Sequence, residues 1–243
     1  MRIINKDMGL ANNRFQGIIA TVLADASIRV KVEEGTPNAV LRDFEDSKGN
    51  KGQKWELVYT EIFGIITKIE FRDSDYGKNL NVTLTDKGED IILSLSTAIN
   101  FGEDLMKKLP NIDLSKEVKL VPYALTDKNN KDKKGITVYQ GGNKIKNYFS
   151  TDELKPKVCN GYPDAGDNTS TFDKEDWKVY FIQCRKFLVK FIEDNIIPMV
   201  DSSPKQSSEP MSAVAVMNAI GGQDVTPTVI TPGTINVPNI PFN

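Results

Sequence analysis

Residues 18–149 are dominated by short β-branched runs, separated by polar stretches that contain Gly, Asn, Asp or Lys. That rhythm restricts the region to a compact antiparallel sheet. Strands are expected at 27–32, 54–59, 64–71, 78–84, 90–94, 118–123 and 135–140, with a short last one at 144–148. The alternation is clearest in Leu80-Asn81-Val82-Thr83-Leu84, apolar on one face and polar on the other. Asp73-Ser74-Asp75-Tyr76-Gly77-Lys78 and Asp86-Lys87-Gly88-Glu89 read as hairpin turns, each with Gly where a positive φ costs little.

The resulting three-stranded meander is followed by 97–109, whose Ile99, Phe101, Leu105, Met106 and Leu109 suit a helix closed by Pro110. Strands then resume. Meander, helix and further strands is the order of an OB-like antiparallel barrel, and a small sandwich fits the same periodicity. The expected fold is therefore mainly β (α+β), an OB-like barrel with one intervening helix, a C-terminal helix and a disordered tail. Its expected divisions are a domain at 1–150, a linker at 151–172, a helix at 173–198 and a tail at 199–243.

For the helix, Asp173 is a candidate N-cap with Asp176 three residues on. Trp177, Tyr180, Phe181, Cys184, Leu188, Phe191 and Ile192 follow at helical spacing until Pro198. The stripe is expected to pack on the domain or on another subunit, so a homo-oligomer remains open. Beyond it the composition turns to Ser, Pro and Gly, the signature of a loose tail. The tail closes on Val237-Pro238-Asn239-Ile240-Pro241-Phe242-Asn243. A spacer ending in a short apolar peptide reads as a docking motif.

Composition removes several chemistries. There is no histidine, hence no Ser-His or Cys-His nucleophile and no usual zinc ligand. Cys159 and Cys184 have no close spacing, so neither a disulfide framework nor a CxxC site is indicated. No GxxxxGK[ST] or GxGxxG loop is present. Asp73 with Asp75, or Asp43 with Glu45 and Asp46, offers carboxylates for Mg²⁺ and nuclease chemistry, but solvated acids are ordinary in such turns. The expectation is a non-enzymatic protein without cofactor or metal. Met1 to Asp7 shows no basic-then-apolar signal pattern and no window approaches a membrane span, so no membrane partner and a cytoplasmic location are expected.

The formal net charge of −2 argues against a polyanionic partner, yet residues 1–150 carry a slight basic excess and the remainder an acidic one. A strand-binding sheet needs aromatic faces for bases and cations for phosphates. Lys54, Trp55, Tyr59, Lys68, Phe71, Arg72, Tyr76 and Lys78 supply both, and Lys119, Tyr123, Lys134, Tyr139, Lys144 and Lys146 repeat the mixture. In the competing reading Trp55, Tyr59 and Phe71 fill the core while the lysines only solubilise the surface. The Lys128 to Lys134 loop is either a flap over DNA or a solvated loop.

Three stretches, Lys54-Trp55-Glu56-Leu57-Val58-Tyr59, Gly64-Ile65-Ile66-Thr67-Lys68-Ile69-Glu70 and Asp75-Tyr76-Gly77-Lys78-Asn79-Leu80-Asn81-Val82, precede Leu109-Pro110-Asn111-Ile112-Asp113. Together they resemble bacteriophage single-stranded DNA-binding proteins of the OB kind. The resemblance implies protection of exposed strands in replication or recombination, in the host cell cytoplasm. The tip Ile240-Pro241-Phe242 is similar to the tails with which such proteins recruit replication or recombination partners. Here Asn243 follows the Phe, and neutral residues stand where that family has acids. Two other classes stay open: a virion or assembly protein with a threading tail, and a Mg²⁺-dependent nuclease.

Overall fold

A computed structural model describes residues 17–45, 49–74, 77–126, 132–149, 160–166 and 169–202. Among these residues ten strands form one mixed sheet: β1 (Ile18–Val22), β2 (Ile28–Val32), β3 (Val40–Glu45), β4 (Lys51–Tyr59), β5 (Ile62–Ser74), β6 (Gly77–Asp86), β7 (Glu89–Ser96), β8 (Val118–Thr126), β9 (Asp132–Gln140) and β10 (Asn143–Lys144). The spatial order is β10-β9-β8-β5-β6-β7-β1-β2-β4-β3. All neighbours run antiparallel except β1 and β7. The protein is thus mainly β, as the short β-branched runs require.

β1 and β3 have no counterpart among the expected strands. In β3 the charges of Arg42, Asp43 and Glu45 dilute the apolar signal, because both faces of this hairpin strand meet solvent. The expected strand at 144–148 shrinks to the Asn143–Lys144 pair. Beyond it the chain leaves the sheet to seat Tyr148 and Phe149 in an aromatic cluster. Between β6 and β7 the two-residue turn holds Lys87 at φ 50° and Gly88 at φ 84°, the left-handed pair that matches strand twist.

β5 is shared by two halves of the sheet. Its first residues, Ile62 to Gly64, pair with β8, and Ile65 to Ser74 pair with β6, with the register broken between Ile66 and Lys68. Gly64 makes the bend at φ 149°, where a Cβ would lie 2.9 Å from the Thr85 carbonyl oxygen. An OB-like antiparallel barrel is expected from the sequence, whereas the strands form one open, mixed ten-stranded sheet. The far edge of β7 is taken by β1 in parallel. The edge of β9 is taken by a helix, α1 (Asn100–Met106). Asp104 Oδ2 accepts the Ile136 N–H at 2.7 Å, and Lys108 Nζ donates to the Ile136 carbonyl at 2.8 Å. Backbone groups already satisfied have no reason to pair again.

α1 buries Phe101, Leu105 and Met106 as expected, whereas Ile99 is exposed. The helix is shorter than 97–109, and Pro110 sits inside a 3₁₀ turn, Leu109–Asn111. Lys108 is buried, and desolvation lowers its pKa while the paired Asp104 opposes that shift.

The C-terminal helix α2 (Lys174–Phe191) begins with a reciprocal capping box between Asp173 and Asp176. It continues through a wide π turn, Ile192–Ile196, into α3 (Ile197–Ser202). The expected stop at Pro198 is therefore corrected. A proline ring collides with the carbonyl four residues back in a regular helix and has no N–H to donate, and the π turn just ahead of it opens that spacing. Cys184, Leu188, Ile192, Ile196 and Val200 are buried in the chain's own core. Phe149, fully buried, meets Phe187 and Phe191 edge-on at 5.3 and 4.9 Å. Part of the expected linker joins this core, since Tyr162 is buried and tilts against Phe149 at 5.8 Å. No helix among the described residues is long and apolar enough to cross a membrane. The expected tail beyond Ser202 lies outside the described residues.

Gly102 brings α1 against the end of β7, and a Cβ there would stand 2.3 Å from the Ser96 carbonyl oxygen. Gly102→Ala is expected to cost about 1–3 kcal/mol through overpacking, although alanine favours helix. Denaturant unfolding that gives wild-type stability would refute this close approach.

Candidate nucleic-acid interface

In a strand, successive side chains point to opposite faces of the sheet. Residues interleaved in the sequence are thereby separated in space. The inner face carries the core residues Val30, Ile69, Leu80, Leu93 and Leu120, with Leu57 packed against them. Trp55, Tyr59, Phe71, Lys78 and Lys134 lie on this inner side of their strands. Trp55 is half-buried beside its cross-strand neighbours Val32 and Leu41, and Phe71 packs on the core with Lys78 Nζ 5.8 Å from its ring. Tyr59, at the end of β4, is exposed.

The outer face collects Lys54, Lys68, Arg72, Lys119, Tyr123, Tyr139 and Lys144. Exposed Lys146 follows β10 and is not part of the sheet. Tyr76 and the tail residues Ile240, Pro241 and Phe242 lie outside the described residues, as do Asp46, Asp75 and Cys159. The two sequence clusters therefore contribute to one face, but each contributes only its alternate residues.

On β5, β8, β9 and β10 the ladder aligns Phe63, Lys119, Tyr139 and Lys144 in one cross-strand row. Phe63 is 45% exposed. Lys119 Nζ sits 5.5 Å from the Tyr139 ring centre and 3.3 Å from Glu61. Aromatic, cation, aromatic, cation is a stacking surface with charge beside each ring. Along β5, Lys68 and Arg72 both reach Glu70, at 2.7 and 2.6 Å. Burial raises the Glu70 pKa, but the two cations outweigh it and the net shift is downward.

Small polar residues separate this bank from a second one. A single row runs Glu70, Asn81, Ser94, Thr21 and Arg29 across β5, β6, β7, β1 and β2. Asn81 is only 7% exposed, and its Oδ1 is buried with no hydrogen-bond partner among the described residues. The row reaches β4 at Val58, and two residues along that strand on the same face stands Glu56 with its cations. Glu56 is 2% exposed and accepts two bonds from Arg42, at 2.7 and 3.0 Å. Lys54 lies at 2.9 Å and Arg29 at 3.9 Å. The Arg42 bonds pull the Glu56 pKa down to about 2, against an opposing burial effect and with help from Lys54.

The sequence reading omits Arg29, Arg42, Phe63 and Glu56. Arg29 and Lys31 were visible in principle, since Ile28-Arg29-Val30-Lys31-Val32 alternates strictly. Phe63 lies one residue before the expected strand at 64–71, and Arg42 lies in a strand with no clear pattern. Among the described residues no group of three or more Asp, Glu, Cys or His is placed to hold a metal ion. Comparison with models of known families, with curated proteins and with solved structures finds no match.

Because the Glu56 pKa is lower in the folded chain, its stabilisation is complete above the unfolded value of 4.5 and is lost as pH falls from 4.5 towards 2. The contribution at neutral pH is of order 3 kcal/mol. Glu56→Gln is expected to be less stable at pH 7 and to lose less stability on acidification. Denaturant midpoints taken from pH 7 down to pH 2 measure both, and parallel pH profiles for the two proteins would rule out the assignment.

Proposed function

We propose that this chain is a non-enzymatic, phage-encoded single-stranded DNA-binding protein of the OB kind, which coats exposed strands in replication or recombination. The observation that carries the reading is the Phe63-Lys119-Tyr139-Lys144 row on the outer face, with Phe63 exposed and Tyr139 half-buried. Unpaired bases stack on Phe63 and Tyr139, and Lys119, Lys144, Lys68 and Arg72 meet the phosphates. A duplex hides its base faces inside the helix, so stacking selects the single strand. Every base has such a face, so sequence preference is weak.

The strand order supports the OB assignment. β5 to β9 lie in the order β9-β8-β5-β6-β7, with α1 between the third and fourth strands and a long, bent first strand. That is the order of a five-stranded, partly open Greek-key barrel, whose second and third strands form the binding face. Here those are β6 and β7, the polar floor of Asn79, Asn81, Ser94 and Ser96. Ile240, Pro241 and Phe242 are proposed to recruit replication or recombination proteins in the host cytoplasm. One observation favours a second reading, a virion or assembly protein: Val179, Phe181 and Ile182 of α2 are exposed.

Fluorescence titration with oligo-dT and with duplex of equal length tests the proposal, with tighter binding to the single strand as the expected result. Phe63→Ala and Tyr139→Ala should each weaken it by about 1–3 kcal/mol per stacked base. Binding should weaken with salt at a log–log slope of about −0.7 per phosphate contact. Equal affinity for duplex, or none for either at low salt, would sink the reading.

A further inference from the structure

The outer face of β2, β4 and β3 is separate from the five-stranded unit and has its own chemistry. Arg29, Lys31, Arg42 and Lys54 stand on it with Glu56 as the one carboxylate contributed by these strands. Glu56 lies below the cations, at 2% side-chain exposure against 28% and 30% for Arg42 and Lys54. A carboxylate buried beneath its partners fixes their positions and leaves the outward surface positive. Lys31 is exposed and has no ion-pair partner among the described residues, and the nearby Asp25 pairs with Arg29 at 3.5 Å. Asp43 and Glu45 of β3 point to the opposite face.

This face also holds a ring. Phe44 is 37% exposed and lies over Gly52, where a Cβ would come within 2.9 Å of the ring. Lys54 Nζ sits 5.4 Å from the ring centre. Gly52 thus makes room for the ring, and the strand pairing holds it beside the Lys54 ammonium. Val40 and Val58 add exposed apolar surface on the same side.

We infer that this face is a second binding surface for the same single-stranded DNA, with Phe44 as its stacking residue. The inference rests on the strand-binding reading above. Continuity argues for one ligand, since Glu70, Asn81, Ser94, Thr21, Arg29 and Val58 form an unbroken row from β5 to β4. Five strand spacings make that path about 24 Å along the sheet. A strand long enough to leave the β5 to β9 unit reaches Phe44 and the four cations, and a short one does not.

The test uses the whole protein and its Phe44→Ala and Lys31→Ala variants, neither of which removes one of the Glu56 ion pairs with Arg29, Arg42 and Lys54. Affinity is measured by anisotropy for oligo-dT of roughly 8 and roughly 30 nucleotides, lengths set by the usual site of one OB fold. Each variant should bind the long oligomer about five-fold or more weaker and the short one unchanged, with matching thermal melts. The Lys31 variant should also lose about 0.7 from the salt slope on the long oligomer. Unchanged binding of the long oligomer, or equal loss at both lengths, overturns the second surface while leaving the first intact. Wild-type protein that binds neither oligomer overturns the strand-binding reading itself. A shift in sedimentation with unchanged long-oligomer affinity would instead make this face a contact between copies of the chain.

Discussion

Ile136 gives its N–H to Asp104 and its carbonyl to the Lys108 ammonium, and with both groups spent β9 has nothing left at that point to offer β7. The sheet's shape depends on this. With β9 occupied, β7 presents a free edge, and β1 adds to it in parallel. β2, β4 and β3 then extend the sheet beyond the five-stranded unit. Each member of the ion pair acts twice, since Asp104 and Lys108 neutralise one another and also satisfy a backbone that would otherwise be an orphaned edge.

An open sheet has one long outer face, and the chain's charges are arranged on it in two banks. Lys68 and Arg72 flank Glu70 on β5, and Arg29, Arg42 and Lys54 flank Glu56 on the far side. Both banks place an acid between bases, so a near-neutral net charge coexists with exposed cations at defined positions. Between them Asn81, Ser94 and Thr21 form a short polar row, with Ile92 and the exposed Ile19 beside it on the same face. The overall charge of −2 is therefore a poor guide to what this surface attracts.

The β character, the Lys87-Gly88 turn, the capping box at Asp173 and the buried Cys184 and Leu188 were legible in the sequence because each is a local effect of propensity or period. The opening of the barrel was not, since it depends on Asp104 and Lys108 finding Ile136 across a long sequence separation. The site was half legible. Aromatic and basic residues could be found by composition, but adjacent residues in a strand diverge, so Lys54 is separated from Trp55 and Arg72 from Phe71. Phe63 and Phe44 were hidden because one precedes and the other lies within segments that lack a clean alternation.

The long C-terminal helix adds a point of geometry. Its buried residues Cys184, Leu188, Ile192, Ile196 and Val200 recur every four positions. An α-helix has 3.6 residues per turn, so each four-residue step overshoots one revolution by about 40°. Repeated along the whole helix, that drift would carry the stripe round to the solvent side. The π turn at Ile192–Ile196 winds more slowly and takes back part of the accumulated rotation. A four-residue spacing that outlasts what a regular helix can keep on one side thus encodes a phase correction, and the wide turn is where the chain applies it.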